Sequence, residues 1–268
     1  MQKIITTIIT LALALGLASS VQAKRGSDGQ LNLLYWQAPS TMNPNLSGGT
    51  KELEASSVVL EPLARYDEKG NMLPWLAEEI PTVENGGVSK DLTSITWKIK
   101  KGIKWSDGSA LTADDAVFTY EYCTNPDTGC TSTNYYKDIQ SVKAIGSNTV
   151  KIQFTVPKPF PYATFVGYNS PILQKAQFDG CQGAKAQECT KQNFYPIGTG
   201  PFKVVDFKPN DVIVFEANPN YRDASKPAFN KLVFKGGGDA TSAARAVLET
   251  GEMAVSYTPL RAHAPEAE

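Results

Sequence analysis

Residues 97–120 read WKIKKGIKWSDGSALTADDAVFTY, and that run confines the chain to a strand, a tight turn and a helix in succession. Trp97, Ile99, Ile103 and Trp105 are apolar among Lys98, Lys100 and Lys104, the pattern of an extended segment with one buried side. Ser106, Asp107 and Gly108 form the turn: Asp bonds its own backbone, and Gly accepts positive φ. Thr112 is a good helix N-cap, and Asp115 three residues on makes a variant of the capping box. Asp114 and Asp115 also suit the positive end of a helix.

The first residues set the compartment. Lys3 gives a positive start, residues 4–17 are mostly apolar, and Val21, Gln22 and Ala23 offer small residues three and one before a cut after Ala23. This is the form of a secretory signal peptide, too short in its apolar part for a span. No cysteine follows it, so a lipid anchor is not expected. The mature protein is expected to be soluble and exported to the periplasm, starting at Lys24.

Four cysteines lie in two close pairs, Cys123 with Cys130 and Cys181 with Cys189. Three pairings are open. Two local loops are the simplest, each tying a polar connection, and an oxidising compartment would preserve them. A metal site competes with this reading, but the spacings are not those of a zinc ribbon, and the single histidine, His263, lies far off.

With 41% hydrophobic and 20% charged residues and a net charge of −1, the chain is ordinary globular material. No basic face calls for nucleic acid. Strands are expected over 30–37, 64–66, 94–99 and 232–235, with hairpins over 139–156 and 203–217. Helices are expected over 53–63, 113–122, 171–178 and 241–249, with a further one over 160–165. Gly236, Gly237 and Gly238 read as a hinge. The mixture points to α+β or mixed α/β layers.

The wording of residues 97–115 resembles the extracellular solute-binding proteins of family 5, which serve peptide, dipeptide and nickel importers. Four further blocks resemble the same family, in order: APSTMNPNLS, LEPLARYDEKGNMLPWLAEEI, SVKAIGSNTVKIQFTVPKPF and IGTGPFKVVDFKPNDVIVFEANPNYR. A last one, LVFKGGGDATSAARAVLETGE, extends the match to about residue 252. Asn43 departs from the pattern, standing where Asp is frequent.

The resemblance implies an α/β (mixed α+β), periplasmic-binding-protein-like fold with two lobes. Residues 24–47 and 194–235 would form the core of lobe one, with 48–193 an inserted subdomain. Residues 236–253 would begin the crossing to lobe two. After Met253 the match stops, and 254–268 reads as an anomalous tail, either divergent or artefactual, with no packed element expected. The chain would then hold roughly half a receptor, lack most of the second lobe, and bind its ligand weakly.

The same resemblance implies a monomeric binding protein, with no cofactor, that passes a peptide to an ABC permease in the inner membrane. A nickel chelate, haem or another small solute is the alternative within the family. Aligned onto peptide-binding relatives, Gly48, Gly49 and Thr50 would pair with the ligand backbone, and Tyr135 (or Tyr136) and Tyr168 would supply aromatic contacts. The competing classes are a non-functional truncated fragment and an exported hydrolase. The hydrolase is disfavoured because the single histidine, His263, lies in the anomalous tail and no nucleophile motif is present. Asp114 with Asp115, and Glu78 with Glu79, are neighbours in sequence and so diverge on a helix, which makes them poor acid/base dyads.

Overall fold

The computed structural model describes residues 25–236, Gly238, Arg245 and the backbone of Val255–Tyr257. The signal-peptide reading over 1–23, the helix expected over 241–249, Gly237 and His263 lie outside the described residues. Strand β1 (Gln30–Tyr35) is followed by helix α1 (Thr50–Ser56), the hairpin β2 (Ala64–Tyr66) and β3 (Met72–Pro74), strand β4 (Ser94–Lys98) and helix α2 (Ala113–Thr124). Then come hairpin β5 (Ile139–Ala144) and β6 (Thr149–Phe154), and the short helices α3 (Lys175–Phe178) and α4 (Thr190–Phe194). Strands β7 (Phe202–Lys208), β8 (Val212–Ala217), β9 (Lys231–Gly236) and β10 (Val255–Tyr257) complete the described chain.

Two larger sheets divide these strands. One has the order β10-β1-β9-β8-β7, so the first strand of the described chain lies beside strands from its far end. In it β1 runs parallel to both β9 and β10, with Tyr35 level with Gly236 and Tyr257, while β7, β8 and β9 pair antiparallel. The second sheet, β4-β6-β5, is antiparallel and built wholly from residues between α1 and α3. Helix α2 packs on it, burying Phe118 and Tyr122 near Trp97, Ile152 and Phe178 in one hydrophobic core.

The strand-turn-helix run folds as its residues dictate, with one difference. Strand β4 stops at Lys98 because Ile99 N–H bonds Asn148 and Lys100 N–H bonds Leu76, both outside the sheet ladder. Ile103 and Trp105 are buried all the same. Gly108 turns with φ +91°, and Asp107 accepts from Ser109 N and Oγ at 2.9 and 2.7 Å. Thr112 N donates to Asp115 Oδ2 at 2.9 Å, the returning half of the capping box.

Three expectations need correction. The helix expected over 53–63 ends at Ser56, because the carbonyls of Val58 and Val59 accept instead from Phe202 and Gly200. Gly198 and Gly200 permit that crossing, since a Cβ on either would overlap Val59. No helix forms over 160–165. The segment is drawn alongside β2, where Leu63 N–H bonds Phe165 O, Gly167 N–H bonds Ala64 O, and Phe165 takes a left-handed φ of +60°. Finally, the tail after Met253 is not devoid of packed structure. Val255–Tyr257 adds a parallel strand to β1, on the side away from β9.

Both cysteine pairs are bonded, Cys123 to Cys130 and Cys181 to Cys189. Among the described residues no group of three potential ligands could hold a metal, and no helix is long and apolar enough to cross a membrane.

Candidate functional site

In open sheets with parallel strands, ligands sit beyond the carboxyl ends of those strands. Here that edge is where β1 and β9 end together, at Tyr35 and Gly236. The chain leaves β1 in a loop that ends at Gly48 and Gly49, and a network of buried amides fixes its course. Asn43 Nδ2 reaches Asn193 Oδ1 at 2.9 Å and Tyr122 Oη at 3.2 Å. Asn45 Oδ1 accepts from Ser132 Oγ at 3.1 Å, and its carbonyl from Thr131 N at 2.8 Å. Pro44 between them bars helix.

Helix α1 begins after Gly49, which is extended (φ −70°, ψ 135°). The buried carboxylate of Glu52 ties this start to the end of β1. Its Oε1 accepts from Ser40 N and Ser40 Oγ, both at 2.9 Å. Lys51 Nζ, 3.6 Å from the same oxygen, donates to Ala38 O at 3.1 Å. A Cβ at Gly49 would meet Glu52 Oε2, so the carboxylate held by Ser40 would have to shift, whereas the space at Gly48 is open. Gly48 and Thr50 are exposed, and among the described residues the N–H groups of Gly48, Thr50 and Lys51 make no hydrogen bond. The result is a stretch of main chain, exposed at Gly48 and Thr50, with donors to spare.

Cavities flank α1 at both ends. One of about 270 Å³ is lined by Trp36, Gln37, Ala38, Lys51, Asn210 and the two glycines Gly236 and Gly238. The other, about 380 Å³, is lined by Glu54, Ser57, Arg65, Tyr66, Gly167 and Tyr168. Gly49 and Glu54 are about 7.5 Å apart along the helix.

The expected ligand residues therefore fall around α1 without forming one cluster. Gly48, Gly49 and Thr50 stand at its start. Tyr168 is 44% exposed and lines the cavity at its end. Tyr135 is half-buried, and its carbonyl accepts from Thr164 Oγ1 at 2.6 Å, four residues before Tyr168. The neighbouring Tyr136 is a packing residue: it is buried against Phe165 and Tyr120, and burial pushes its phenol up to about 12. Sequence reasoning missed Trp36, Lys51, Glu52, Glu54 and Arg65. Only Glu52 carried a signal, standing three residues after the Gly49 cap as a capping-box acid would.

The acidic neighbours behave as structural groups. Asp115 accepts from Lys175 N at 2.9 Å besides Thr112 N, and burial pushes its carboxyl up while those bonds oppose the rise. Asp115 borders a cavity of about 420 Å³ with Asp114 and Asp179, yet its own oxygens are committed to backbone. Buried Glu61 is also fully engaged, by Trp75 Nε1, Thr199 Oγ1 at 2.8 Å and Arg222 at 2.7 Å.

The model of the bacterial extracellular solute-binding proteins, family 5 Middle, matches residues 71–268. The oligopeptide-binding protein AppA of Bacillus subtilis is 31% identical over 215 residues, which cover 80% of this chain and 38% of AppA. The dipeptide-binding protein of Escherichia coli is 31% identical over 267 residues, 92% of this chain and 47% of that protein. The solved structure of Bacillus subtilis AppA in complex with a nonapeptide superimposes with a TM-score of 0.77 at 28% identity, over 88% of this chain and 45% of AppA. The chain thus spans less than half the length of these relatives.

Proposed function

This chain belongs to the bacterial extracellular solute-binding proteins of family 5, and on that premise we propose that it binds peptides as the receptor of an ABC importer. Solute binding is what the family's description names, and it names no reaction. The observation that carries the peptide reading is the segment 48–51, where Gly48 and Thr50 are exposed and the N–H groups of Gly48, Thr50 and Lys51 are unbonded among the described residues, next to Glu52, which Ser40 holds. Main-chain pairing of this kind gives affinity for any peptide backbone and leaves side chains to adjoining cavities. Tyr168, and Tyr135 beside its loop, would then meet ligand side chains.

The β10-β1-β9-β8-β7 sheet would be the core of the first lobe, and 48–193, with its own sheet and both disulfides, the inserted subdomain. A second wall would close over the ligand and report occupancy to an inner-membrane permease driven by an ATPase on its far side. The receptor would work as a monomer in the periplasm, released by cleavage after Ala23. Native mass spectrometry of the protein purified from cells tests the ligand class. Mass increments of short peptides are expected; increments of a sugar or a metal chelate would overturn the reading.

A further inference from the structure

The cavity at the carboxyl end of α1 is lined by a cation, Arg65, whose hydrogen-bonding capacity is largely unused among the described residues. Three cations crowd the β2-β3 region. Arg65 and Arg222 place their guanidinium carbons 4.6 and 5.2 Å from the Trp75 ring, and Lys100 Nζ donates to Trp75 O at 2.9 Å. Glu61 faces them, and its oxygens are already taken by Arg222, Thr199 and Trp75, while Asp223 acts on Arg222 as well.

Arg65 is left with one hydrogen bond, from Nη2 to Ser57 O at 2.8 Å. Its Nε is buried with no partner, and Nη1 makes no hydrogen bond among the described residues. A guanidinium short of acceptors is costly to keep, and a carboxylate is the group that matches its fork.

The cavity beside Arg65 is about 380 Å³ and is walled by Tyr66 and Tyr168, which are 47% and 44% exposed. Their rings offer flat apolar contact at small entropic cost. Glu54 is the acid among the lining residues; burial pushes its carboxyl up, and no ion pair joins it to Arg65.

We propose that this cavity is a binding site for a carboxylate carried on an aromatic or apolar frame, with Arg65 as the anchoring cation and Tyr66 and Tyr168 as the walls. The site is separate from main-chain pairing at Gly48, Gly49 and Thr50 and needs no peptide backbone.

The test is a titration of the full chain with phenylacetate and, in parallel, with neutral phenylacetamide, read on the ¹⁵N-resolved Nε–H signal of Arg65. A saturable shift with phenylacetate and none with phenylacetamide is expected. In Arg65→Gln, read on the Gly167 amide, phenylacetate affinity should fall by about tenfold or more, as the charge-assisted bond is lost.

Two further variants guard against a folding effect of Arg65→Gln. Tyr168→Ala alters a half-exposed ring and should weaken binding several-fold with the rest of the spectrum unchanged. Glu54→Gln removes the lining acid and should tighten binding about threefold, a gain that misfolding cannot mimic. Equal responses to acid and amide, no response to either, or unchanged affinity in Arg65→Gln would overturn the proposal. No peptide is present in the titration, so its result is independent of the peptide reading.

Discussion

Glu61 shows how a single residue joins parts of the chain remote in sequence. It is fully buried in the segment leading to β2, and its partners Trp75, Thr199 and Arg222 come from the β2-β3 hairpin, the approach to β7 and the loop after β8. Removing one side of such a pair leaves the other charge uncompensated. We predict that Glu61→Ala destabilises the protein by about 3 kcal/mol, toward the low end for a buried pair, because the Arg222 side chain keeps 21% of its exposure and water can take up part of its charge. Urea unfolding monitored by tryptophan fluorescence measures this. A loss below about 1 kcal/mol, the range of surface pairs, would mean that the network holds little.

At the scale of elements, the loop before α1 depends on segments stapled by the disulfides. Asn45 rests on Ser132 and Thr131, next to Cys130, and Asn43 rests on Asn193, four residues after Cys189. Replacing Cys123 and Cys130 by serine frees a short loop, which costs about 2–3 kcal/mol on loop entropy. It should also loosen the support of Asn45. Hydrogen exchange should then speed at the Leu46 and Thr131 amides, which bond Asn43 O and Asn45 O, while β7–β9 stay protected. Uniform acceleration across both sheets would show that the staple acts only globally.

The same elements show what a sequence can reveal. The turn at Gly108, the Thr112 cap and the β5-β6 hairpin are local, so neighbouring residues specify them. The end of α1 at Ser56 and the extended course of 160–165 are not, because each is decided by backbone partners far away: Gly200 and Phe202 for the first, Leu63 and Ala64 for the second. The place of Gly48, Gly49 and Thr50 after the NP word singled them out in the sequence, and the structure puts them at the start of α1, with Gly48 and Thr50 exposed. Arg65 and Glu54 were not, since nothing in their own segments says that β2 and the turn at Gly167 meet the end of α1.

The molecule as a whole is organised by the return of the chain to its beginning. Strand β1 is completed on one side by β9 and on the other by β10, and all three end at the same edge. The intervening residues build a second sheet with its own helix and both disulfides. That layout leaves α1 standing at the carboxyl edge of the first sheet, with Gly48 and Thr50 exposed at its start.

The central claim is that the main chain at Gly48, Gly49 and Thr50 pairs with a peptide backbone, and amide chemical shifts read it directly. Titration with trialanine should shift these three amides saturably, whereas trialanine methylated on its backbone nitrogens should leave them in place. Equal shifts with both peptides, or shifts confined to other parts of the chain, would contradict the account.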